Sequence, residues 1–310
     1  MNTKLLAFVA LLSSRAVTPA RLPEQPGAVQ IQMHNVNLRI AHGVVLQIRS
    51  LYGRMIPTSH EHPVTLDNRD SFNVEVESAV IAVDTSSLSH LMNTYVFAYE
   101  GAPLKNLSVT AKDGRLVQKG TMHKGIDVPF ELTGSVSPTA DGVIRLHADK
   151  ATAEHLPVKG LLHLFGEDLS KLVNTNEARG ARMEGDDIYL FPSRMMPPPH
   201  ILGKVTAVRV EGNNVVQTFG SGSSSPLHLP APAANYIYHR GGNLRFGKLT
   251  MTDADLEIID ENPKTPFDFS LDDYNRQLVA GYSQNTPSHG LIVHMPDYGQ
   301  IGRKPTKLGR

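Results

Sequence analysis

Residues 55–68 read MIPTSHEHPVTLDN and set two imidazoles, His60 and His62, on either side of Glu61. On an extended strand the two histidines would point to one side and the glutamate to the other. Such a pair can begin a zinc site, but a catalytic zinc needs three protein ligands and one open position. No third ligand adjoins the pair, and the helical H-E-x-x-H arrangement occurs nowhere in the chain. Pro57 and Pro63 bracket the triplet, with Thr58 and Ser59 beside it. The expectation is a polar loop joining two early strands. A metal-dependent hydrolase using His60 and His62 is the minor alternative.

Two further stretches invite a chemical reading. Residues 242–249, GNLRFGKL, come within one residue of the phosphate-binding pattern G-x-x-x-x-G-K-[ST]. Leu249 stands where the magnesium-binding hydroxyl belongs, and the alternation of residues 250–258 reads as a strand. The pattern needs a helix there, whose first amides hold the phosphate, so a chance match is expected. Asp253, Asp255, Glu257, Asp260 and Glu261 gather acidic oxygens. They lack the glycine and terminal-glutamate spacing of a calcium loop and read as a solvated strand face. No G-x-S-x-G elbow is present. Catalytic residues, metal ligands and cofactors are therefore all expected to be absent.

Composition narrows the field. The 310 residues carry 30 Lys plus Arg against 30 Asp plus Glu. That balance lacks the basic excess of a nucleic-acid binder, and no nucleic-acid partner is expected. Cysteine is absent, which removes disulfides, thiolate metal sites and cysteine nucleophiles. At the N-terminus Lys4 precedes an apolar run, residues 5–12, and small residues follow at Ser14, Ala16, Thr18 and Ala20. Residues 1–20 thus read as a secretory signal peptide, cut after Ala16 or Ala20. The expected location is the periplasm or cell envelope. No other stretch is long and apolar enough to span a bilayer.

The elements that must carry any site are mostly strands. In AVQIQMHNVNLRI, residues 28–40, Val29, Ile31 and Met33 hold one phase and Val36, Leu38 and Ile40 the other. That slip predicts a bulge or a bend. GVVLQIRSLYGRMI and FNVEVESAVIAVD are the next two strands, the first of them turned back through AHG. Asp113-Gly114 and Asp141-Gly142 sit between strand-like runs as hairpin turns. Between them Ile126, Val128, Phe130 and Leu132 alternate with polar residues and should face inward. Two stretches switch to helical spacing. Leu88, Leu91, Met92, Tyr95, Val96 and Tyr99 form one stripe, capped by Asp84, Thr85 or Ser86. Leu161, Leu162, Phe165, Leu169 and Leu172 form the other. Gly212–Asn214 turns one more hairpin, and GSGSSSPLHLPAPAA reads as a linker.

The phrases YEGAPLKNLSVTAKDGRLVQKGTMHKGIDVPFELTGSVSPTADGVIRLHADK, LPVKGLL and GDDIYLFPSRMMPPPHILGKVTAVRVEGNNVV resemble the LmeA-like family of bacterial envelope proteins. The likeness covers roughly residues 75–220. That family is similar in fold to the tubular lipid-binding (TULIP) superfamily, in which a curved sheet wraps a long helix and encloses a lipid. The resemblance implies phospholipid binding without turnover.

The combined expectation is an α+β protein. A long, strongly curved antiparallel sheet over residues 27–219 would wrap one or two amphipathic helices in the TULIP-like manner. Residues 220–234 would be a Gly/Ser/Pro linker, 235–300 a C-terminal β-rich extension, and 301–310 a disordered basic tail. Leu88, Leu91, Met92, Tyr95 and Val96 would face Leu161, Leu162, Phe165 and Leu169 across a lipid-filled groove, floored by Ile126, Val128, Phe130 and Leu132. The partner would be a lipid, a phospholipid for preference, with peripheral membrane contact. The alternative is a scaffolding envelope protein that binds a partner through its sheet.

Overall fold

The computed structural model describes residues 27–59, 61–123, 126–154, 156–158, 180–220 and 226–302. The N-terminal segment expected as a signal peptide, His60, the stripe from Leu161 to Leu172, and residues 303–310 of the basic tail lie outside them.

The apolar alternation at the start of the chain becomes β1 (Val29–Ala41) and β2 (Val44–Pro57), paired antiparallel around His42 and Gly43. A short β3 (Val64–Thr65) leads to β4 (Phe72–Asp84), which pairs with β2. The phase slip is real, and of the two expected causes, a bulge or a bend, β1 shows the bend. Asn35 adopts a left-handed φ of 53°, yet His34↔Ser50 and Val36↔Ile48 keep one register. The buried positions of β2 change phase at the same level, between Ile48 and Leu51. The register breaks one strand further on, between β2 and β4 at Ile48/Ser50. Asn35 is also where β1 changes neighbours on its other side.

After β4 the chain forms a helix, α1 (Thr85–Leu91), which widens into a π turn over Met92–Val96. Then come β5 (Leu104–Lys112), β6 (Arg115–His123), β7 (Asp127–Pro138), β8 (Ile144–Ala153), β9 (Leu156–Val158), β10 (Ala181–Glu184) and β11 (Asp187–Leu190). These make a second, antiparallel sheet in the order β10-β11-β8-β7-β6-β5, with β9 also on β8. Asp113 and Gly114 both have positive φ, 52° and 73°, which is the primed turn that suits the twist of a two-residue hairpin.

A short α2 (Pro192–Met195), β12 (Ile201–Leu202) and the hairpin β13 (Val205–Glu211)–β14 (Asn214–Gly220) return the chain to β4. The last part is β15 (Tyr236–Phe246), β16 (Leu249–Asp260), β17 (Phe267–Ser270), α3 (Tyr274–Ala280), β18 (Tyr282–Asn285) and β19 (Leu291–Met295). β15 pairs antiparallel with the first half of β1, and β17 pairs parallel with the second half. The large sheet therefore runs β13-β14-β4-β2-β1-β15-β16-β19-β18. Its main core includes Leu46, Ile81, Leu91, Phe219, Leu256 and Phe267, all buried.

The β-rich α+β character stands. The tubular form does not: among the described residues the sheet path runs from β13 to β18 without closing, and neither sheet is closed or strongly curled. The described helix has seven α residues and five π residues, which at about 1.5 Å per residue is too short for a sheet to wrap. Residues 235–300 are not set apart from 27–219, because β15 and β17 flank β1 within one sheet. The second half of the expected linker is also fastened to that sheet. The Leu227 amide donates to Gln32 Oε1 (2.6 Å), the Ala231 amide to Glu257 Oε2 (2.8 Å), and the Ala234 carbonyl bonds His34 Nδ1 (2.7 Å).

Candidate functional site

Asp84 ends β4 and caps the helix. Its carboxylate accepts from the Ser87 amide (2.8 Å) and the Ser87 hydroxyl (2.9 Å), satisfying groups that a helix start leaves orphaned. The π turn is closed by the Phe97 amide donating to the Met92 carbonyl (2.9 Å). The helix is then stitched to β5, an edge strand. The Val109 amide donates to Ser89 Oγ (2.8 Å) and the Leu107 amide to Asn93 Oδ1 (2.9 Å). Asn93 Nδ2 donates back to the Leu107 carbonyl (2.6 Å). The Asn93 amide thus does for β5 what a neighbouring strand would do, and covers part of an open edge.

Between this helix and the second sheet lies an apolar seam. It is lined by Leu88, Met92 and Phe97 from the helical segment and by Leu104, Val109, Leu116, Leu146 and Met183, among others, from the strands; among the described residues Gln118 is the one polar side chain of the lining. The open volume is about 40 Å³, room for a few waters. Behind it Val96, Phe130, Leu132 and Met122 complete a second apolar cluster, separate from the main core.

The residues expected to share one lining face are divided by the structure. Leu88 and Met92 line the seam, and Val96 lies behind it in the second cluster. Leu91 is fully buried in the main core, and Tyr95 packs against that core. The helix is wedged between two apolar layers, so its wide apolar arc serves both. Phe130 and Leu132 are buried as expected, and Val128 packs half-buried against them. Ile126 is 68 % exposed and does not face inward. It precedes β7, beyond the last β6–β7 pair, His123↔Asp127, so no strand crosses it. Leu161, Leu162, Phe165 and Leu169 fall outside the described residues. Phe97, Gln118, Met183 and the other strand residues of the lining, Leu104, Val109, Leu116 and Leu146 among them, are outside the expected set. Met183 lies on a four-residue strand too short to show a period, and Gln118 is a polar residue at an inward position.

Of the chemical motifs, Glu61 and His62 are exposed, and among the described residues no three His, Cys, Asp or Glu side chains gather to hold a metal. Residues 242–249 end β15 and turn at Gly247 straight into β16, pairing Phe246 with Leu249, so no helix follows the lysine. The acidic run departs from the expected solvated face. Glu257 and Asp260 are 0 % and 4 % exposed: residues 226–235 pass over Glu257, whose Oε2 accepts the Ala231 amide, while Asp260, on the other face at the end of β16, accepts from Asn235 Nδ2 (2.9 Å). Burial pushes the Glu257 carboxyl up to about 7, and Asp255 nearby adds to the push, while the Ala231 amide opposes it. Burial likewise raises Asp260 to about 6 and lowers His239, which pairs with Leu256 on the face opposite Glu257, to about 4. Among the described residues no helix is long and apolar enough to cross a membrane.

No family model, curated protein or solved structure matches the chain.

Proposed function

We propose that the protein is a non-enzymatic binder of an acyl-chain lipid, a phospholipid for preference, acting outside the cytoplasm in the cell envelope, as the LmeA-like resemblance implies. The observation that carries the reading is the seam, whose described lining is apolar apart from one amide, Gln118, set between a short helix and a sheet. Its open volume of about 40 Å³ is far below the several hundred Å³ of a typical ligand site. Lipid entry therefore parts the wall. Met92 and Met183 in the lining are flexible thioethers that repack at low cost. Each methylene taken from water returns about 0.8 kcal/mol, so a chain of ten or so carbons offsets a substantial opening. Gln118 supplies the polar contact that fixes an ester group at the mouth.

The test is organic extraction of the folded, purified protein followed by mass spectrometry, with uptake of a fluorescent acyl-chain probe measured in parallel. Stoichiometric lipid, and probe uptake lost in Leu88→Asp with the fold retained, are the expected results. A protein free of lipid that also fails to take up the probe ends the proposal.

A second reading, a scaffold that pairs through its sheet, is favoured by β18. This four-residue edge strand is exposed throughout, with Tyr282 58 % exposed. A monomer at all concentrations by light scattering, with no partner recovered by cross-linking in the envelope, removes it.

A further inference from the structure

The two motifs that the fold left without a role meet in space. The described residues on either side of His60 (Thr58, Ser59, His62 and Pro63) and the GNLRFGKL turn border one open cleft of about 980 Å³, whose walls include Asp67, Arg245, Lys248, Leu278 and Val279. It forms where β3 pairs with the end of β15, Val64↔Leu244 and Thr65↔Arg245, and where α3 packs over that junction. Its size is that of a small-molecule site and far larger than the seam.

What the cleft can hold follows from which of its polar groups are already occupied. Of the four lining hydroxyls, three donate within the loop itself. Thr58 Oγ1 donates to the Asp70 carbonyl (2.9 Å), Thr65 Oγ1 to the Pro63 carbonyl (3.1 Å), and Ser71 Oγ to the Thr65 carbonyl (3.0 Å). Both oxygens of Asp67 are taken, by the Tyr274 hydroxyl (2.6 Å) and the Asn275 amide (2.5 Å). Asn68 Oδ1 accepts from the Asp70 amide (3.1 Å). The cations are free. Arg245 makes one long contact, Nε to the Gly247 carbonyl (3.4 Å), and among the described residues neither Arg245 nor Lys248 has a carboxylate partner. His62 is exposed beside them. Against these donors stands one carboxylate, Asp70, that has no side-chain bond among the described residues. Leu278 and Val279 give the cleft an apolar wall. Val279, 86 % exposed, is the most exposed large hydrophobic residue described, and Leu249, next to Lys248, is 45 % exposed. A water-facing apolar wall beside unpaired cations is matched by a molecule that carries both an oxyanion and an apolar part.

We propose that this cleft binds an anionic amphiphile. Its phosphate-type headgroup lies between Arg245, Lys248 and His62, and its apolar part lies on Leu278 and Val279. The site is independent of the seam and stands whether or not the seam takes an acyl chain. A guanidinium and an ammonium suit phosphate oxygens by charge and by fork geometry.

The experiment is calorimetric titration of the full chain with dihexanoyl phosphatidate below its micelle concentration, beside inorganic phosphate alone and dihexanoyl phosphatidylcholine. Phosphatidate is expected to bind at least tenfold more tightly than either control. Arg245→Ala with Lys248→Ala should cost at least tenfold, and Arg245→Lys with Lys248→Arg should restore most of it. Val279→Ser should weaken phosphatidate and leave inorganic phosphate unchanged. All of these side chains are exposed, so circular dichroism should be unaltered. Equal affinity for phosphatidate in the wild type and the double alanine variant overturns the proposal. Inorganic phosphate binding as tightly as phosphatidate overturns the amphiphile assignment, and phosphatidylcholine binding equally well overturns the anionic one.

Discussion

Glu257→Gln should stabilise the protein above neutral pH and leave it unchanged in acid. Glu257 has no solvent exposure. Its Oε2 accepts the Ala231 amide, while Oε1 is buried and has no partner among the described residues. Burial moves the carboxyl from its ordinary 4.5 to about 7. Below pH 4.5 the group is protonated whether the chain is folded or not, and it costs nothing. As pH rises from 4.5 to about 7, the unfolded chain loses this proton first, so stability falls. Above 7 the loss is constant. At about 1.4 kcal/mol per tenfold change in proton affinity, the full loss is about 3 kcal/mol. Glutamine keeps the shape and the carbonyl that accepts Ala231, and it carries no charge at any pH. The melting temperature of the variant should equal that of the wild type near pH 4. Near pH 8 it should exceed the wild type by about 6 °C, given a few degrees per kcal/mol for a chain of this size. Asp260, raised to about 6, and His239, lowered to about 4, titrate in both proteins and cancel in the difference. Thermal melts of the pair from pH 4 to 8 decide the matter. A gap that is no wider at pH 8 than at pH 5 refutes the reasoning, because then Glu257 is solvated and residues 226–235 do not seal that face.

Asn93→Ala strips both partners from the Leu107 amide and carbonyl on an edge strand and should cost about 2 kcal/mol, read as a lower midpoint in urea unfolding. Gly114→Ala meets no neighbouring atom but sits at φ +73°. It should lose about 1 kcal/mol through backbone strain alone, measured by the same unfolding curve.

Much of the fold was legible because its strands are half-buried and alternate cleanly. FNVEVESAVIAVD became β4 without change of boundary, and Asp113-Gly114 marked its hairpin because the primed turn needs two positive φ values. The phase slip in β1 located the point where the strand exchanges β15 for β17. What no periodicity contains is which strands lie side by side. β1 and β15 are some two hundred residues apart and share one register, and that pairing alone turns an expected appendage into the middle of a sheet. The linker composition misled for a similar reason. A Pro- and Ala-rich segment makes no pattern of its own, yet its free amides are the donors that Gln32 and Glu257 take.

The site was legible only in part, because amphipathicity gives the width of an apolar face and says nothing of how many surfaces it meets. Leu91 and Met92 are neighbours on one stripe, yet one is buried in the main core and the other in the second cluster. Leu88 packs against both. A single-faced helix would have left Ser89 and Asn93 in water; this one spends them on the edge of β5. Serine and asparagine side chains compete for backbone groups, and here those groups belong to another strand. Polar residues at regular spacing on an otherwise apolar helix are thus ambiguous between a solvated face and a strand-capping one. The ambiguity is resolved by β5 lying at the end of its sheet, where its amides have no other strand to meet.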